Sequence, residues 1–79
     1  MQATEIEALL RTGLDDCEVS VSGEGNHFDI LVVGEVFANL RPLKKQQMVY
    51  AVLREQIADG SIHAVNIRTF TAAEWAQQQ

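Results

Sequence analysis

Two histidines and one cysteine are the only imidazole and thiol side chains in the chain. His63 stands in Ser61-Ile62-His63-Ala64, and His27 in Gly25-Asn26-His27-Phe28. A neutral imidazole is a common transition-metal ligand. Because imidazoles ordinarily titrate near neutral pH, such a ligand binds at about pH 7 and is released on acidification. Two histidines alone do not close a site, and the alternative is a pair of hydrogen-bonded rim histidines. Cys17 alternates with Glu18 on what reads as the buried parity of a strand, which suits a structural thiol. Gly23-x-Gly25 lacks a third glycine and falls in a hairpin, which excludes a dinucleotide loop. No spelling places a nucleophile on a tight turn, so nothing marks an acyl-transfer enzyme.

The elements that must position these residues come from a chain of 79 residues, 47% hydrophobic and 22% charged, which fits one domain over residues 1–79. A lone cysteine excludes an intramolecular disulfide. With no basic segment or long apolar run after Met1, the expected compartment is the cytoplasm, without a membrane span. The net charge of −5 is uneven. Residues 1–39 carry eight acids against Arg11 alone, whereas residues 40–79 carry five basic residues against three acids. That field repels phosphate backbones unless Arg41, Lys44 and Lys45 form a local patch, and the alternative for these three is solvated helix-end charge.

Thr4-Glu5-Ile6-Glu7 spells a capping box, so a first helix is expected from about Glu5 to Thr12, burying Ile6, Leu9 and Leu10. Gly13 is placed to end it in a left-handed conformation. From Cys17 the period changes to two, with Cys17, Val19 and Val21 on the buried parity of a strand. Gly23-Glu24-Gly25-Asn26 turns the chain into a second strand over Phe28 to Val33, completing a hairpin. Phe37 and Leu40 read as plugs in the connection that follows. Pro42 suits a helix start, and Val49, Val52, Leu53 and Ile57 form one stripe of a long helix ending near Asp59-Gly60. A third strand is expected over Ile62 to Phe70, and Thr71-x-x-Glu74 starts a last helix carrying Trp75.

A hairpin followed by a crossover helix and another strand predicts an α+β fold in two layers. Its three-stranded sheet is mixed, and the right-handed crossover places the long helix on the same face as the first. His63 shares parity with Val65 and Ile67, whereas His27 opposes Phe28, so ideal strands would point the two rings to opposite faces. Either His27 precedes the pleat, or it is not a ligand.

Phe37, Met48-Val49-Tyr50, Ile62-His63-Ala64 and Thr69-Phe70-Thr71-Ala72-Ala73-Glu74-Trp75, with Gly23-x-Gly25-x-His27-Phe28 in the hairpin, together resemble the BolA-like family. Lys44-Lys45-Gln46-Gln47 stands where many members have an Arg-His-Arg run, and resembles the branch linked to bacterial acid stress. Asn39 stands where members usually have glycine, and asparagine also tolerates a left-handed backbone. The resemblance implies an αββ(α)αβα order similar to a type II KH domain, with the helices on one face of the sheet. It implies a non-enzymatic partner of a monothiol glutaredoxin, sharing a two-iron, two-sulfur cluster with the glutaredoxin cysteine and glutathione. Trafficking of iron-sulfur clusters or iron homeostasis is the implied role. His63 would be this chain's ligand and His27 the second, with Arg41, Lys44 and Lys45 docking the partner; a homodimer is a further assembly left open. The competing function is nucleic-acid binding through the KH-like fold, although the Gly-x-x-Gly loop of KH domains is not spelled here.

Overall fold

The computed structural model describes residues 1–25 and 27–78, with the backbone alone at Glu24. The elements are α1 (Ala3–Gly13), β1 (Glu18–Glu24), β2 (His27–Val33), a short 3-10 helix (Glu35–Phe37), α2 (Pro42–Val52), α3 (Arg54–Ala58), β3 (Ala64–Phe70) and α4 (Ala72–Gln78). The sheet order is β1-β2-β3, with β1 antiparallel and β3 parallel to β2. This is the expected α+β architecture with a mixed three-stranded sheet.

Strand parity decides which face is buried. Phe28, Ile30 and Val32 of β2 and Val19 of β1 turn inward and meet Ile6 and Leu10 of α1, Val49 of α2 and Leu53 after it. Phe37, wholly buried, is the plug expected in the β2–α2 connection. The chain can pass through that connection because Asn39 takes the left-handed conformation at φ 64°, the geometry that lets asparagine stand in for glycine. The other sheet face carries Ser20, Ser22, Asp29, Asn66 and Arg68 and is left open by α1, α2 and α3. On that open-face parity, at the end of β3, Phe70 meets Trp75 of α4 at 5.3 Å between ring centroids.

Several local expectations shift. Helix α1 begins earlier than the Thr4 capping box implies: Glu5 accepts from the Gln2 amide at 2.9 Å, so the cap is one spelled with glutamine. Gly13 is helical, and the left-handed residue beyond it is Asp16 at φ 57°. Gly13 serves instead for close approach, since a Cβ there would lie 2.7 Å from Val52 Cγ1 and hold α1 away from α2. The long helix is broken at Leu53, whose amide bonds Tyr50 O at 3.1 Å in place of a regular helical partner. Past the break Ile57 turns outward to 36% exposure and leaves the predicted stripe. At the hairpin Gly23 has φ 122° and a Cβ there would collide with the His27 carbonyl, so glycine is required on both counts. Asn26, the last residue of the expected turn, lies outside the described residues.

The Thr71 capping box forms as spelled, with Glu74 N donating to Thr71 Oγ1 at 3.2 Å and Thr71 N donating to Glu74 Oε1 at 2.8 Å. Glu35 adds a third bond, accepting from Ala72 N at 3.0 Å and tying α4 to the chain segment after β2. No helix among the described residues is long and apolar enough to cross a membrane.

Candidate functional site

His63 is positioned by its predecessor. Ile62 is 3% exposed, and its amide donates to Gln56 O at 3.1 Å, which anchors the segment to the end of α3. Upstream, Asp59 Oδ1 accepts from Ser61 N at 2.8 Å and Gly60 takes φ 83°, so an Asx turn reverses the chain between helix and strand. Hydrogen bonding to Ser61, from its side chain first and its amide second, holds the Asp59 carboxyl below its ordinary range. With Ile62 facing in, His63 faces out, exposed and one residue before β3. Among the described residues no hydrogen bond or ion pair engages its imidazole, leaving the ring nitrogens available to an external group.

His27 is held differently. It is the first residue of β2 and pairs with Glu24 on one side and Ala64 on the other. The alternative in which His27 precedes the pleat is not met: His27 lies within it, and His63 is the histidine that stands outside. The His27 ring lies on the open face with Asp29 and Asn66. Its Nε2 is 3.4 Å from Asn66 Nδ2 and 4.0 Å from Asp29 Oδ1, while Asn66 Nδ2 donates to Asp29 Oδ1 at 3.0 Å. Asp29 and Asn66 were not singled out by sequence. Asp29 shares the His27 parity, but Asn66 is 39 residues away and becomes a neighbour only through the parallel β2–β3 register.

Because Ala64 is the register partner of His27, the two histidines occupy the same end of the sheet, where the parallel strands β2 and β3 begin. Among the described residues no group of three or more His, Cys, Asp or Glu side chains is arranged to hold a metal ion.

Cys17 is half-buried beside Gly34, where a Cβ would collide with its Sγ. Burial, with smaller contributions from Asp16 and Asp15, pushes its thiol up and keeps it protonated, in keeping with a structural role.

The basic residues stand elsewhere. Arg41 caps the start of α2 and Lys44 lies in its first turn, both exposed. The Lys45 side chain is only 14% exposed, and its Nζ is 3.8 Å from Glu74 Oε1, so it links α2 to α4. The Thr71 amide, and secondarily Lys45, hold the Glu74 carboxyl below its usual range. These contacts place the group near the end of β3, whereas the histidines flank its beginning. A seven-residue strand separates them, roughly 20 Å. The structure brings the two histidines to one end and does not bring the three basic residues to them.

The BolA-like protein family matches residues 5–74. The chain belongs to that family. It is 48% identical to the acid stress protein IbaG of Escherichia coli over 79 residues, covering 100% of this chain and 94% of that protein. The structure of a BolA homologue from Coxiella burnetii superimposes with a TM-score of 0.84 at 28% identity, covering 96% of this chain and 97% of that one. The DNA-binding transcriptional regulator BolA of Vibrio cholerae is 42% identical over 55 residues, 70% of this chain and 51% of that protein. Family membership thus accounts for the whole β1–β2–α2–β3 arrangement that presents the histidines.

Proposed function

We propose that this BolA-like chain is a non-enzymatic, cytoplasmic partner of a monothiol glutaredoxin. With it the chain co-ligates a two-iron, two-sulfur cluster for cluster trafficking or iron homeostasis, in a role connected with acid stress. The observation that carries this reading is His63: an exposed imidazole without a hydrogen-bond partner among the described residues, next to the buried Ile62. Among the described residues no group of metal-ligating side chains is arranged around it. In this reading His63 supplies one nitrogen ligand and His27 the second, while the glutaredoxin cysteine and glutathione supply sulfur. When bound, a cluster with imidazole in place of thiolate has a less negative ligand set and a higher reduction potential.

Docking also has physical support. Leu43 is 69% exposed and Tyr50 41% exposed, seven residues apart and so on one side of α2. Ile57 on α3 is a further exposed apolar residue towards the histidine end. A glutaredoxin lying along α2 would cover Leu43 and Tyr50, meet Arg41 and Lys44 at one end and reach His63 at the other. Lys45 would act by fixing α4 against α2, through Glu74.

The test mixes the chain with a monothiol glutaredoxin, iron, sulfide and glutathione, followed by visible circular dichroism and by metal and sulfide analysis of the isolated complex. A stable complex with two irons and two sulfides per heterodimer is expected. A metal-free complex, or a cluster spectrum identical to that of glutaredoxin alone, rejects the proposal. The name of the Vibrio cholerae relative favours nucleic-acid binding as the second reading, with Arg41 and Lys44 against phosphates. Salt-sensitive binding of labelled DNA that is lost in Arg41→Glu with Lys44→Glu would support it.

A further inference from the structure

Strand β1 has a free outer edge, because the sheet order gives it β2 on one side only. Glu24 and His27 are register partners at the turn, where a hairpin closes with a hydrogen-bonded pair. Alternation back along the antiparallel ladder then bonds Ser22, Ser20 and Glu18 to β2, and aims the N–H and C=O groups of Val19 and Val21 away from it. Arg11 agrees with that direction: reaching down from α1, its Nη2 donates to Val19 O at 3.5 Å. Among the described residues no other hydrogen bond outside the ladder involves the backbone of these two valines. The same edge opens into a cavity of about 590 Å³, whose lining includes Arg11, Glu18, Val19, Ser20, Leu31 and Trp75. Asp15, Asp16 and Glu18 are exposed at this end of β1, and no ion pair among the described residues neutralises them.

We propose that the outer edge of β1 docks an extended, basic segment of a partner protein, which joins the sheet as a fourth strand. The guest pairs antiparallel with the backbone of Val19 and Val21, the more stable of the two strand pairings. Its side chains then alternate. Those beside Val19 and Val21 are apolar. Those beside Glu18 and Ser20 are lysine or arginine, whose stems lie on Leu31 and Trp75 in the cavity while their heads meet Glu18 and Trp75. Arg11 is the gate. Its bonds to Val19 O and to Glu7 Oε1 are both 3.5 Å long, so a guest amide can take Val19 O while Arg11 keeps Glu7. A second copy of β1 is the wrong guest, because Glu18–Glu24 contains no basic residue and symmetric pairing would bring the same acids together. With β2 between β1 and β3, this edge is separate from the β3 side of the sheet, and the inference does not depend on cluster binding.

The test titrates the full nitrogen-15-labelled chain with the peptide acetyl-Lys-Val-Lys-Val-Lys-Val-Lys-amide at low salt and about pH 7, where its lysines are charged. Saturable shifts and slowed hydrogen exchange are expected at the Val19 and Val21 amides. The same peptide methylated at its valine nitrogens keeps the charge but loses the strand donors, and should not bind. Glu18→Lys should weaken binding by about three- to tenfold, and Arg11→Ala should tighten it by about two- to fivefold, as expected for single exposed cross-strand contacts. No saturable shift at Val19 and Val21 up to about 1 mM peptide overturns the inference. Equal binding of the methylated peptide does so too, since charge alone would then suffice, as does weaker binding in Arg11→Ala. Sedimentation of the free chain should show no association protecting the Val19 and Val21 amides; such association would make a second copy the occupant and overturn the assignment of a basic partner.

Discussion

His63 and His27 stand at the same end of the sheet and are placed by opposite means. His63 lies outside the strand, and its position derives from the buried side chain before it and the Asx turn upstream. His27 lies within the strand, fixed by ladder pairing on both sides, and its ring is engaged by Asn66 and Asp29 on an exposed surface. One residue has a fixed backbone anchor and an uncommitted ring; the other has a fixed backbone and a committed ring. Exposure alone therefore does not define an available ligand, because among the described residues only the His63 ring is without a hydrogen-bond or ion-pair partner.

That contrast can be broken at its anchor with the largest effect. Ile62→Ala removes a side chain only 3% exposed and should cost about 2–4 kcal/mol in urea unfolding. It should also loosen the presentation of His63. His63→Ala comes next: exposed, it should leave the urea midpoint nearly unchanged, within about 0.5 kcal/mol, yet shorten the lifetime of the mixed cluster by about tenfold or more. A shift in the unfolding midpoint comparable to that of Ile62→Ala would show that His63 is structural. His27→Ala should shorten the same lifetime less, by about two- to fivefold, because its ring must first give up its contact with Asn66. Equal losses in the two variants would erase the contrast.

The smallest effect concerns the turn behind His63. The Asp59 carboxyl is held below its ordinary value of 3.8 by its bonds to Ser61, so the turn is stabilised above that pH and released as pH falls through the lowered value. The Ser61 amide resonance should therefore stay unchanged from about pH 7 to about pH 5, within which imidazoles titrate, and move only in stronger acid. Any weakening of the mixed cluster near pH 5 would then come from its ligands and not from collapse of the turn. Movement of the Ser61 resonance between those two values would contradict this.

Much of the fold was legible because periodicity reports burial. Alternation marked β1 and β2, the Thr71-x-x-Glu74 spelling formed as a reciprocal cap, and Asn39 adopts the left-handed backbone that its residue type permits. The break at Leu53 was not legible, since Val49, Val52, Leu53 and Ile57 continue one helical stripe across it. The start of β3 was also misplaced: Ile62 continues the apolar run, but its amide bonds Gln56 and not a neighbouring strand. That two-residue difference leaves His63 outside the strand whose parity the sequence assigned to it. The link between Lys45 and Glu74, and the contact of Asn66 with His27, join residues far apart in sequence. Both depend on register and crossover geometry, which local patterns do not encode.

The central claim, that His63 supplies a nitrogen ligand to a shared cluster, is tested most directly by pulsed electron paramagnetic resonance of the reduced complex with a monothiol glutaredoxin. The wild-type chain labelled with nitrogen-15 at histidine should show strong imidazole couplings, and His63→Ala should lose the coupling from that ring while the complex still forms. Couplings unchanged in His63→Ala, or absent from the wild-type complex, would contradict the account.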